Sequence, residues 1–265
     1  RSIWVTGVQT CALPIYPGDP RLHPRRRRDI EDAREQAATL PFDMSFARDA
    51  LGLLQAVAIS GDGGLTIEDV AALEALLGDT IRTDRLLRGT IHENLGIAHL
   101  RLGNVVAAEA AAREALRIFE EFQAPNGRVF ARIHLCMATL AQGRLRESDE
   151  LLVELERLIK EFALTDATAA IVRTLRARVF YERGGLDAAW EAYCGSLEAL
   201  EAGDSSFEVL DTSYGTAIEV LLAREDYDGA LSVIERGNAT ARRRGLQRLE
   251  TIWRSEERRV GKECR

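Results

Sequence analysis

The sequence predicts an all-α fold, a solenoid of about five antiparallel helix hairpins. Three observations carry this reading. Proline all but vanishes after Pro41, with Pro125 alone up to residue 253, and a stretch rich in Ala, Leu, Glu and Arg without proline favours continuous helix. No segment shows the strict alternation and β-branched enrichment of a strand. Glycines that close one apolar helix and open another recur at spacings of 40 and 41, at Gly103, Gly143 and Gly184. One step further falls Glu225, and one step back falls Gly63.

The elements follow from the turns. The aligned segments are Gly103–Ala108, Gly143–Ser148, Gly184–Ala189 and Glu225–Ala230. Glycine ends the first helix because it enters the left-handed region freely. Asn104 and Asp226 are candidates to cap the next helix. Two residues after the anchor an apolar side chain (Val105, Leu145, Leu186, Tyr227) plugs the corner. Five after it a small one (Ala108, Ser148, Ala189, Ala230) lets the two helices approach closely. First helices are expected over 44–59, 84–102, 127–142, 167–183 and 207–224. Second helices are expected over 66–78, 105–122, 145–163, 186–201 and 227–244, giving a repeat domain over 44–252. Such hairpins cannot bury their faces alone and must stack.

The two ends read differently. Residues 5–15 and 254–264 correspond codon for codon to the two adapters of a short-read sequencing kit, so 1–15 and 254–265 are expected to be translated adapter rather than protein. On that expectation residues 16–253 are an internal piece of a longer chain. Residues 16–43 form a linker or an out-of-frame segment, and the Arg25–Arg28 run belongs to it unless it is a binding patch.

Charge and cysteine content narrow the function. The whole chain carries 35 basic and 42 acidic residues, and without the adapter stretches 29 and 39 remain. That balance argues against a nucleic-acid or anionic-membrane surface. Cys136 and Cys194 lack metal or redox spacing and are expected to be small buried hydrophobes. A long chain without a disulfide framework fits a reducing cytoplasm. No apolar run reaches the ~18 residues a membrane helix needs.

The second hairpin resembles a tetratricopeptide repeat. Leu95-Gly96, His99 in the aromatic slot, Gly103, Ala108, Ala115 and Leu116 fall at that motif's spacing. Later hairpins keep the turn but place Cys136 and Ala177 where the helix-A glycine belongs, and Phe180 fills the aromatic slot of the fourth. With a period longer than 34, and with Leu140–Arg146, Val179–Gly184 and Ala241–Leu249, residues 45–252 are similar to the MalT-like helical-repeat region of large ATP-binding LuxR-type transcriptional regulators. The resemblance implies a right-handed superhelix serving as a sensor and scaffold segment. It also implies a P-loop ATPase before the repeats and a helix-turn-helix after them. No GxxxxGK[ST] string occurs, so ATP belongs only to that upstream domain and no cofactor is expected here. The expected partners are an inducer or a protein, together with the flanking domains of the same chain, with no direct nucleic-acid contact. Two alternatives stand beside this reading: a free-standing tetratricopeptide-like adaptor, and a helical accessory domain of a signalling enzyme.

No catalytic constellation stands out, so the chain is read as a non-enzyme. His92 and His99 lie seven apart without a third metal ligand, and with His134 they are expected to be structural. Arg242–Arg244 either meet the negative end of a helix dipole or dock an acidic partner domain. Glu120-Glu121 and Glu198/Glu201 read as solvated faces. The resemblance places the inward positions of the concave wall at Thr90, Glu93 and Arg101, at Thr174, Arg178, Tyr181 and Glu182, and at Thr212 and Glu219. Arg178, Tyr181 and Glu182 combine a bidentate donor, an aromatic face and an acceptor on one helical turn. That trio suits a sugar-like or peptide ligand, or else an inter-repeat ion pair with a packed tyrosine.

Overall fold

Glycine and its substitutes set the architecture. In the computed structural model each hairpin turn repeats one hydrogen-bond pattern. The amide of Asn104 donates to His99 O at 2.8 Å, and those of Arg144, Gly185 and Asp226 donate to Thr139, Phe180 and Leu221 O at 2.9 Å each. The residue before each donor is left-handed: Gly103, Gly143 and Gly184 at φ 75°, 70° and 77°, and Glu225 at 61°. This six-to-one bond with a left-handed residue inside it satisfies carbonyls that the ending helix would otherwise orphan.

The structure describes residues 67–79, 85–202 and 207–263, all helix and tight turn, with no strand among them. In order the helices are α1 (Ile67–Asp79), α2 (Arg85–Arg101), α3 (Val105–Glu121), α4 (Pro125–Ala141), α5 (Leu145–Glu161), α6 (Asp166–Glu182), α7 (Leu186–Tyr193), α8 (Ser196–Ala202), α9 (Phe207–Ala223), α10 (Tyr227–Arg244) and α11 (Gln247–Glu263). The expected helix over 44–59, the segment 16–43 with Arg25–Arg28, and residues 1–15 lie outside the described residues.

The chain forms two compact units, residues 1–131 and 132–265. In the first, α1 packs on α2 and α2 on α3. Val70, Leu73, Leu87, Ile91, Leu95, Ala98 and Ala111 form its core. A second cluster gathers Ala115, Phe119, Ala124 and Ala131. A Cβ added at Gly127 would sit 2.5 Å from Phe119 Cγ, so the start of α4 rests directly on that ring.

In the second unit α6 packs against α5, α7, α8 and α9, and α10 against α9 and α11. The small turn residues behave as the repeat requires, with Ser148, Ala189 and Ala230 fully buried. At Ser148 the close approach is also polar: its Oγ lies 2.9 Å from Thr139 Oγ1, which bonds Cys136 O at 2.9 Å. Asp226 caps α10 by accepting from Gly229 N at 2.9 Å. Asn104 makes no such bond, contrary to expectation. Thr165 instead caps α6, accepting from Thr168 N at 3.3 Å.

Two elements depart from the predicted order. The helix expected over 186–201 is broken, because Cys194 is extended at ψ 130° and Gly195 is left-handed at φ 78°. After Gly245 (φ 69°) the same six-to-one turn, Leu246 N to Ala241 O at 2.9 Å, starts one more helix, α11, which continues through 254–263.

Candidate functional site

Helices α6 and α9 are the first helices of consecutive hairpins, so equivalent positions on them meet one repeat apart. The Arg178 guanidinium lies at the centre. Its Nη2 is 2.6 Å from Glu182 Oε1 on its own helix, and its Nη1 is 2.5 Å from Glu219 Oε2 on α9. The guanidinium carbon sits 5.3 Å from the centroid of the Tyr181 ring, within cation–π range. Arg178 is 29% exposed and both carboxylates 37%, so the group is open to solvent. One guanidinium thus holds two carboxylates and one aromatic face in a fixed arrangement. Each bond is charge-assisted, and its worth is reduced by solvent screening.

The structure brings together four of the nine expected residues: Arg178, Tyr181, Glu182 and Glu219. Thr174 is interior, 2% exposed, and accepts a 3.3 Å bond from Ser213 Oγ across the same helix pair. Thr212 is half-buried on α9. In the first unit Thr90 is buried, and its hydroxyl donates to Leu86 O at 3.4 Å. Glu93 and Arg101 are half-buried on the same helix α2. Burial pushes the Glu93 carboxyl up to about 8. It also holds His92 below the usual imidazole range, where Glu114 opposes the shift and Arg88 and Arg117 add to it. Among the described residues no group of three His, Cys, Asp or Glu could hold a metal ion.

Several sequence readings need correction. Glu198 and Glu201 are not merely a solvated face. Arg236 Nε and Nη2 bond both Glu201 oxygens at 2.8 and 2.9 Å, and Nη1 reaches Glu198 at 3.0 Å. Tyr214 Oη donates to the same Glu201 carboxylate and approaches Thr240 Oγ1 at 3.2 Å. Glu121 is exposed as expected and pairs with Arg85 at the surface. The Arg242–Arg244 run does occupy the last turn of α10, as the helix-dipole reading expects, and is also bonded within the chain. Arg242 pairs with Glu250 at 3.3 Å, Arg243 reaches Thr240 at 3.3 Å, and Arg244 donates to Leu200 O and Glu201 O at 3.2 and 2.9 Å. Cys136 is buried, which pushes its thiol up to about 12, whereas Cys194 is exposed rather than buried. The Glu198 and Glu201 partners are not legible in the sequence because Arg236 lies on the next hairpin, 38 and 35 residues away.

Stacked helical hairpins with left-handed turns and open polar groups on first helices define a helical-repeat protein. The description "MalT-like TPR region" matches residues 62–261, and the chain belongs to that family. No curated protein matches the chain. Among solved structures, a Signal Transduction ATPase with Numerous Domains protein with a tetratricopeptide repeat sensor, from Pyrococcus horikoshii, is similar in fold. The TM-score is 0.57 at 14% identity, covering 88% of this chain and 33% of that one. The chain therefore spans about a third of that protein's length. BtubC from P. vanneervenii is similar at TM-score 0.58 and 15% identity, covering 85% of this chain and 92% of that one.

Proposed function

We propose that this chain is the sensor and scaffold segment of a cytoplasmic, ATP-dependent LuxR-type transcriptional regulator. It would bind an inducer or a partner protein on the face that α6 and α9 share. The observation that carries the reading is the Arg178 cluster, which ties two consecutive first helices together at a solvent-open position. Membership of the MalT-like family supports it. A sugar-like or peptide ligand would compete for the guanidinium, the carboxylates and the Tyr181 ring. Because Glu182 and Glu219 belong to different hairpins, engaging one and releasing the other would favour one arrangement of successive hairpins over another. A ligand acts in this way only through its different affinity for the two states. ATP would be held by a P-loop domain before the repeats, and DNA by a helix-turn-helix after them.

Two experiments test this. The native gene is sequenced outward from codons 45–252. An ATPase upstream and a LuxR-type helix-turn-helix downstream are expected; unrelated repeats or stop codons close on both sides would leave the free-standing adaptor. In the whole regulator, Arg178→Ala is expected to shift the inducer or partner titration at least tenfold. A titration identical to wild type would remove this face as the binding site.

A further inference from the structure

The second helix of the fourth hairpin is interrupted, and its two halves have different attachments. Helix α7 stops at Tyr193, and the chain turns through extended Cys194 and left-handed Gly195 before α8 begins at Ser196. Helix α8 has seven residues, too few to be stable without tertiary contacts. Its apolar contacts come from Leu197 and Leu200, both buried. Its charged contacts run forward to the fifth hairpin. Arg236 of α10 grips Glu201 with two bonds and Glu198 with one. Tyr214 of α9 donates to Glu201, and Arg244 closes on the Leu200 and Glu201 carbonyls. Backward, on α6, the polar tie is Arg173 Nε to Ser196 Oγ at 3.3 Å.

At the break, Tyr193 is 4% exposed, and its hydroxyl is buried with no hydrogen-bond partner among the described residues. A short helix bounded by a left-handed glycine, with an apolar side packed on α6 and charged ties that run to the next hairpin, has the features of a locally unfolding unit.

We infer that α8 is a strap that lifts as a unit about Cys194-Gly195, with the Glu201 carboxylate as its catch on Arg236 and Tyr214. Closed, it joins the fourth hairpin to the fifth. Open, it releases Arg236 of α10 and the Tyr214 hydroxyl from Glu201, while α6 stays packed on α7 and α9. This device does not depend on the ligand face of α6 and α9.

Hydrogen–deuterium exchange read by mass spectrometry on the full chain tests it. In the wild-type protein the amides of 197–202 are expected to exchange at least tenfold faster than those of α6, at a rate that low urea does not change. Arg236→Met should accelerate 197–202 a further tenfold or more and leave residues 170–180 unchanged. Should that variant lose its helical circular dichroism, Glu201→Gln, which keeps the shape and removes the charge, is expected to show the same selective acceleration. Exchange of 197–202 in step with α6 and α10 in the wild type would overturn the inference. So would a folded variant in which 197–202 exchanges as in the wild type.

Discussion

Gly237 in α10 sets two physical effects against each other. On propensity alone, alanine in a helix interior is better than glycine by roughly 0.8–1.0 kcal/mol. The surroundings oppose it. A Cβ at Gly237 would lie 2.8 and 3.0 Å from Cε3 and Cζ3 of Trp253, and 3.1 Å from Cδ1 of Tyr214. The two rings already meet at a centroid distance of 4.6 Å, tilted by 48°, and both are fully buried. Tyr214 cannot retreat easily, because its hydroxyl is fixed on Glu201 and Thr240. Overpacking a filled core costs about 1–3 kcal/mol, and two immovable rings place this site in the upper half of that range. Gly237→Ala is therefore expected to destabilise by a net ~1–2 kcal/mol, lowering Tm by roughly 2–8 °C for a domain of this size. Gly215 in α9 is the control. Nothing lies within 4 Å of its added Cβ, so Gly215→Ala should gain about 1 kcal/mol from propensity alone. Thermal unfolding followed by far-ultraviolet circular dichroism reads both variants. A Gly237→Ala protein that melts at or above the wild-type temperature would show that the Tyr214–Trp253 pair yields, and would refute the argument.

Two other predictions concern charge and backbone. Glu93 is held protonated to about 8, above its unfolded value of about 4.3. Its contribution is complete below the unfolded value and is lost as pH rises through the folded one. Glu93→Gln should therefore flatten the fall in stability between pH 5 and pH 8.5 and raise Tm at pH 8; an unchanged slope in urea titrations would count against it. Glu225 adopts φ 61° where the other three turns use glycine. A left-handed non-glycine residue costs about 1–2 kcal/mol, partly offset by the extra chain entropy of glycine, so Glu225→Gly should stabilise by ~0.5–1 kcal/mol in chemical denaturation.

How much of this was legible follows from the period. The turns were readable because the same six-to-one bond recurs at each of them, and helix ends fell within one or two residues of expectation. Arg178 and Glu219 meet at a separation of 41 residues, one full repeat. Register alone therefore places them on equivalent positions of adjacent first helices, although it does not say that they pair. The Glu198/Glu201 contacts with Arg236 span 38 and 35 residues. They are off the period and join α8 to the second helix of the next hairpin. Gly195 was visible in the sequence, but an isolated helix glycine is often tolerated, and only its φ of 78° reveals the break. The same reasoning covers α11. Gly245 carries the turn signature but lies 61 residues after Gly184, so spacings of 40 and 41 do not reach it. In a repeat protein, contacts that keep the period can be located from one sequence. Those that depart from it mark the places where one hairpin differs from the next. Here both departures converge on Tyr214, which joins Glu201 of α8 to Trp253 of α11.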